Sequence, residues 1–78
     1  MRVVTIYSKP GCCLCDEVDQ VVREVARRRR FRVDRRNILD DPILAEKYAT
    51  AIPVVCVDGQ EIARYSLTAF ALEAALTK

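Results

Sequence analysis

Cys12 and Cys15 stand two residues apart, directly after a Pro10-Gly11 step. Thiol–disulfide exchange needs such a pair: one thiolate that reaches solvent, and a second thiol near enough to resolve the mixed disulfide. A helix beginning at Cys12 would bring unsatisfied N–H groups and the positive end of its dipole to the sulfur, and both favour a thiolate. Lys9 adds positive charge three residues earlier, while Asp16 and Glu17 oppose it. Cys15 falls one turn later on the same face. Helical residues i and i+3 come within the roughly 5.5–6 Å Cα separation of a disulfide. A bridge enclosing two residues is expected to be reversible rather than a staple. Cys12 is therefore the expected nucleophile, and Cys15, placed deeper, the resolving thiol.

The other two cysteines read differently. Cys13 is expected on the solvent side of the helix as a bystander; a competitor for disulfide formation and a third metal ligand are its other readings. Cys56 lies in an apolar run and is expected to pack as a small apolar residue. Free cysteines often pack in this way, yet a strand, a Pro-Gly loop, Cys-x-x-Cys and an amphipathic helix in succession are more specific than the tetrapeptide alone. The chain has no histidine, which excludes Cys–His nucleophile pairs and every His-containing zinc site. One Cys-x-x-Cys is half of a four-sulfur site, so no resident metal is expected. Three cysteines crowded into four positions also argue against a secreted disulfide framework.

The elements that must hold this pair can be read along the chain. Residues 2–7 are β-branched and aromatic and predict a strand. Ser8–Gly11 form a loop, and a helix follows in which Leu14, Val18, Val21, Val22 and Val25 mark one buried face. Acidic residues in its early turns and arginines in its last match the helix dipole. Phe31–Arg36 alternates weakly and predicts an edge strand that tolerates charge. Asp41-Pro42 signals a second, short helix that carries Ile43, Leu44 and Tyr48 inward. Val54–Val57 is continuously apolar, as a central strand covered on both faces should be. Asp58-Gly59 predicts a hairpin leading to Gln60–Tyr65. Ser66 is the expected cap of a last helix whose inner face holds Leu67, Phe70, Ala71 and Ala74, flanked by Leu72 and Leu76. The order is β-α-β-α-β-β-α. A right-handed crossover between parallel strands followed by a hairpin predicts a four-stranded mixed sheet flanked by three helices, an α/β fold.

Size and charge bound the rest. With 78 residues and a 51% hydrophobic composition, one domain over 1–78 with a packed core is expected. No apolar stretch reaches membrane-span length and no signal peptide is visible, so a cytoplasmic protein is expected. The net charge is +2, but eight of the 13 Lys and Arg residues lie between Arg23 and Arg36. Cations at a helix C-terminus on a solvated face account for them, and no aromatic stacking platform accompanies the patch. The expected partners are protein disulfides or small thiols and a reducing system, with no nucleic acid and no membrane, and the protein is expected to be a monomer.

The segment Tyr7-Ser-Lys-Pro-Gly-Cys-Cys-Leu-Cys-Asp-Glu17 resembles the active-site segment of glutaredoxins. It is most similar to small glutaredoxin-like proteins with a Cys-x-Leu-Cys-Asp-Glu version of the motif. Ala51-Ile-Pro-Val-Val-Cys-Val-Asp-Gly59 resembles the family's second signature, in which a proline precedes an apolar run and a glycine. The two lie in the family's order and the elements cover essentially the whole chain. The resemblance implies a thioredoxin fold and a thiol–disulfide oxidoreductase with Cys12 and Cys15 catalytic. It further implies a cis Ile52-Pro53 bond facing the cysteines, an Ile52 backbone that pairs with an extended substrate, and Lys9 beside the sulfurs.

The chain departs from the family in one stretch. Glutaredoxins that use glutathione usually carry a Gly-Gly turn after the hairpin, followed by acidic or hydroxyl residues. Here the stretch reads Ile62-Ala-Arg-Tyr-Ser-Leu67, without the glycine pair or the Asp and one residue shorter. No cofactor is expected; glutathione is a possible co-substrate, with an atypical pocket. Arg64 has two readings, a residue that holds a carboxylate instead and an exposed arginine on a strand end, and the second is favoured. Two other readings remain beside the oxidoreductase: a metal or iron–sulfur carrier of the glutaredoxin superfamily, and a non-catalytic adaptor on the thioredoxin scaffold.

Overall fold

In the computed structural model, which describes residues 1–77, β1 (Arg2–Ser8) runs into α1 (Cys13–Ala26). Then come β2 (Phe31–Asn37), a 3-10 turn (Ile38–Asp40), α2 (Pro42–Tyr48), β3 (Val54–Val57), β4 (Gln60–Arg64) and α3 (Ala69–Leu76). The strands form one mixed sheet in the order β2-β1-β3-β4. β1 and β2 are parallel, with Val4 opposite Val33, and β3 is antiparallel to both β1 and β4. The α/β fold and the edge position of the charged strand β2 are as the pattern predicts. The short 3-10 turn is an addition to it.

Side chains alternate across the sheet and divide the interior in two. Val4, Ile6, Val55 and Val57 point to the face covered by α1 and α3, where they meet Val18, Val22, Val25, Leu67 and Leu72. Tyr7, Val54 and Cys56 point to the other face and meet Ile38, Tyr48, Ala51 and Ile52. Burial on both faces explains why every residue of Val54–Val57 is apolar. The Asp58-Gly59 turn has positive φ at both residues, 51° and 86°, as a two-residue hairpin requires. Asp58 also accepts the Val3 N–H at 2.9 Å and pairs with Arg2 at 3.1 Å, tying the hairpin to β1.

Several side chains differ from their expected places. Leu14, expected on the buried face of α1, is 43% exposed and joins neither core, while Cys15 takes the inward position beside Val18. Periodicity identifies the face of a helix but not how far the covering layer extends along it. In α2, Leu44 and Tyr48 share a face at i, i+4 spacing, and Ile43, five positions from Tyr48, lies away from it at 74% exposure. The last helix starts later than expected: Thr68, not Ser66, caps it by accepting the Ala71 N–H at 3.1 Å. With that start Leu72 is the fully buried residue, Phe70 is 81% exposed and Ala74 is also outside. A helix apolar almost all round gives periodicity nothing to choose by. β4 ends at Arg64, so Tyr65 lies outside the strand predicted to include it.

Candidate active site

The loop between β1 and α1 is set by Gly11, whose φ of +78° suits glycine and disfavours other residues. It delivers Cys12 in extended conformation to the N-cap of α1. The capping atom, usually a hydroxyl or carboxylate oxygen, is here a sulfur: Cys12 Sγ accepts the Cys15 N–H at 3.3 Å. The Cys12 carbonyl accepts the Asp16 N–H at 3.2 Å and so opens the helix. All four cysteines are free thiols. Cys12 is half-buried, Cys13 is exposed, and Cys15 and Cys56 are buried.

Burial pushes the Cys15 thiol up to about 11, aided by its side-chain hydrogen bond to Cys12 and opposed by the Lys9 backbone. At neutral pH Cys15 therefore keeps its proton. Cys12, Cys15 and Ile52 pack into one apolar cluster with Tyr48 and Cys56. The Ile52-Pro53 bond is cis, in agreement with the resemblance. The Pro53 carbonyl accepts the Tyr65 N–H at 2.8 Å. Lys9 is exposed, and it lines a cleft of about 280 Å³ with Pro10, Cys15, Asp19, Arg23 and Arg35. Of the residues predicted for the site, Cys12, Cys15 and Ile52 thus share one cluster. Lys9 approaches Cys15 through its backbone.

Other residues near the cysteines were not marked as site residues by the sequence, although Tyr48 was expected to point inward and does. Tyr7 stacks on Tyr48 with ring centroids 4.9 Å apart, and Lys47 Nζ lies 5.2 Å from the Tyr48 ring centre. Burial, foremost, raises the Tyr7 phenol, with Cys56 and Tyr48 acting in the same direction. Burial also raises the Cys56 thiol. Asp19, one turn after Cys15, receives Arg23 at 2.8 Å and Arg35 at 2.7 Å. Only i, i+4 spacing could have suggested the first of these pairs.

The arginine-rich stretch is largely engaged in ion pairs. Arg28 reaches Glu73 at 3.2 Å and Glu24 at 3.8 Å, Arg29 reaches Glu73 at 3.9 Å, and Arg36 pairs with Asp34. A groove of about 390 Å³ lies at the hairpin end of the sheet, lined by Arg2, Asp58, Glu61, Ala71 and Ala75, and none of the cysteines borders it. Among the described residues no three His, Cys, Asp or Glu side chains are grouped to hold a metal ion. No helix among them is long and apolar enough to cross a membrane.

The sequence profile of the glutaredoxin-like domain (DUF836) matches residues 3–77. The chain belongs to this glutaredoxin-like family. The solution structure of the Nitrosomonas europaea protein Ne2328 superposes with a TM-score of 0.82 at 25% identity, covering 95% of this chain and 89% of that one. The X. campestris protein XcR50 gives 0.73 at 29% identity, covering 95% of each chain. A thioredoxin variant from Halobacterium salinarum NRC-1 shares the fold, with a TM-score of 0.70 at 19% identity over 95% of this chain and 70% of its own. No curated protein matches the sequence. The protein is thus a glutaredoxin-like protein of thioredoxin-like fold.

Proposed function

We propose that this glutaredoxin-like protein is a thiol–disulfide oxidoreductase that exchanges a Cys12–Cys15 dithiol with protein or low-molecular-weight disulfides. The observation that carries this reading is the asymmetry of the pair. Cys12 Sγ is half-buried at the helix N-cap and accepts the Cys15 N–H, whereas Cys15 is buried and held as a thiol.

In the first step Cys12, as thiolate, attacks one sulfur of the substrate disulfide. That S–S bond breaks, a Cys12–substrate bond forms, and the departing sulfur leaves as a thiolate that takes a proton from water. Two of the causes that keep Cys15 protonated, its hydrogen bond to Cys12 and the charge on Cys12, then vanish, because the Cys12 sulfur is neutral and bonded. Cys15 gives up its proton and attacks Cys12 Sγ, and the second substrate sulfur leaves and is protonated. The substrate gains two electrons and two protons, and the protein ends as a Cys12–Cys15 disulfide. A small thiol, glutathione included, or a protein dithiol returns it to the starting state.

In this reading the Ile52 backbone and Pro53 form the wall against which an extended substrate lies, and Lys9 contributes positive charge at the entrance. Cys13 has no step, and Cys56 is a packing residue. The protein works as a monomer of one domain in the cytoplasm, without a metal. Disulfide reduction by Cys12→Ser and Cys13→Ser proteins tests the assignment. Loss of turnover in the first with retention in the second is expected, and a Cys12→Ser protein reducing disulfides at the parent rate would overturn it.

A further inference from the structure

Phe70 is 81% exposed and belongs to neither core. One exposed aromatic side chain is ordinary by itself, but Phe70 is not isolated. Phe70, Ala74 and, at the C-cap, Thr77 recur at four- and three-residue spacing, so they share the outer side of α3. Together with Glu73 and Arg29 they line a groove of about 370 Å³. The Thr77 hydroxyl donates to the Ala74 carbonyl at 3.0 Å, which turns its polarity back onto the helix. The α3 wall of the groove is therefore apolar apart from Glu73.

The surrounding charge is positive. Glu73, the one charged residue of α3, is shared by Arg28 at 3.2 Å and Arg29 at 3.9 Å. Arg28 also reaches Glu24 at 3.8 Å. Arg27–Arg30 thus set four cations against these two carboxylates, a surplus of two. Arg29 borders the groove and its contact to Glu73 is long, so its guanidinium can take an incoming carboxylate. An aromatic ring beside such an arginine has the make-up of a protein-binding hot spot. Other occupants fit less well. A second copy would bring the same positive surplus to the interface. Single-stranded nucleic acid needs successive stacking rings, and Phe70 is the sole aromatic residue lining the groove. A flat lipid surface would not fill a recess of this volume.

We propose that this groove docks an acidic segment of a partner protein, with an apolar side chain of the segment against Phe70 and a flanking carboxylate on Arg29. The groove lies towards the C-terminal end of α1 and Cys12 caps the other end, roughly 20 Å away along the 14-residue helix. Binding there leaves the thiols uncovered. The test selects peptides from a phage-displayed random dodecapeptide library on protein treated with iodoacetamide, then measures the enriched peptides by fluorescence anisotropy. Blocked thiols keep the outcome independent of the oxidoreductase reading. Peptides with an apolar residue flanked by Asp or Glu should be enriched, and added salt should weaken them. Phe70→Ser and Arg29→Glu should each lower their affinity about tenfold or more. Both side chains lie outside the cores, so both variants should melt close to the parent and reduce hydroxyethyl disulfide at its rate. No enrichment, enrichment without acidic residues, or equal affinity for the parent and both variants would overturn the proposal. Tighter binding to phosphatidylserine vesicles or to a single-stranded oligonucleotide than to the peptides would overturn it as well.

Discussion

The Cys15 N–H donates to Cys12 Sγ across 3.3 Å, so the bond that caps α1 also joins the two sulfur-bearing residues. One interaction therefore starts the helix and fixes the geometry of the pair. Serine at position 12 keeps a good capping atom, which lets the chemistry of Cys12 be removed without removing the cap.

The raised Cys15 thiol gives stability a definite pH dependence. Its folded value, about 11, lies above the ordinary 9.0, so in rising pH the unfolded chain releases the proton first and alkali favours unfolding. The contribution is complete below about pH 9 and is lost as pH rises through about 11. Cys56 and Tyr7 are raised too and act with the same sign. Urea titrations of the reduced protein between these limits should show declining stability, and a Cys15→Ala protein should decline less steeply.

Gly11 aims the sulfur. Its φ is +78° and an added Cβ would meet nothing within 4 Å, so the cost of Gly11→Ala is conformational and not a clash. It should destabilise the protein by about 1–2 kcal/mol and lower disulfide reduction by turning Cys12 away from Cys15. Thermal melts read with activity assays check both; an unchanged melt would show that the turn tolerates alanine.

The cap of α3 separates sequence expectation from structure directly. Thr68→Ala removes the bond to the Ala71 N–H and should cost about 1 kcal/mol. Ser66→Ala removes no capping bond and should stay within about 0.5 kcal/mol. Urea unfolding midpoints of the two proteins decide which residue starts the helix.

These contrasts follow what the sequence could and could not convey. Val18, Val22 and Val25 lie on a helical period, and Asp41-Pro42 and Asp58-Gly59 carry their own backbone chemistry. The elements around them were therefore legible. Leu14, Ile43 and Phe70 were not, because their exposure depends on which neighbouring element reaches them. Ser66 and Thr68 are both competent caps by residue type, and the structure uses the later one. For the candidate site, the Cys12–Cys15 spacing and the proline after Ile52 were readable. The cis bond at Pro53 came through the family resemblance and not through residue chemistry. The hydrogen bond from Tyr65 to Pro53 has no local signal, since its partners are twelve residues apart and meet only once β3 and β4 have paired.

The division of labour between the two thiols is tested most directly by trapping. A Cys15→Ser protein treated with hydroxyethyl disulfide and analysed by intact mass and peptide mapping should carry one mixed disulfide, on Cys12. An adduct confined to Cys13, or none at all, would contradict the account.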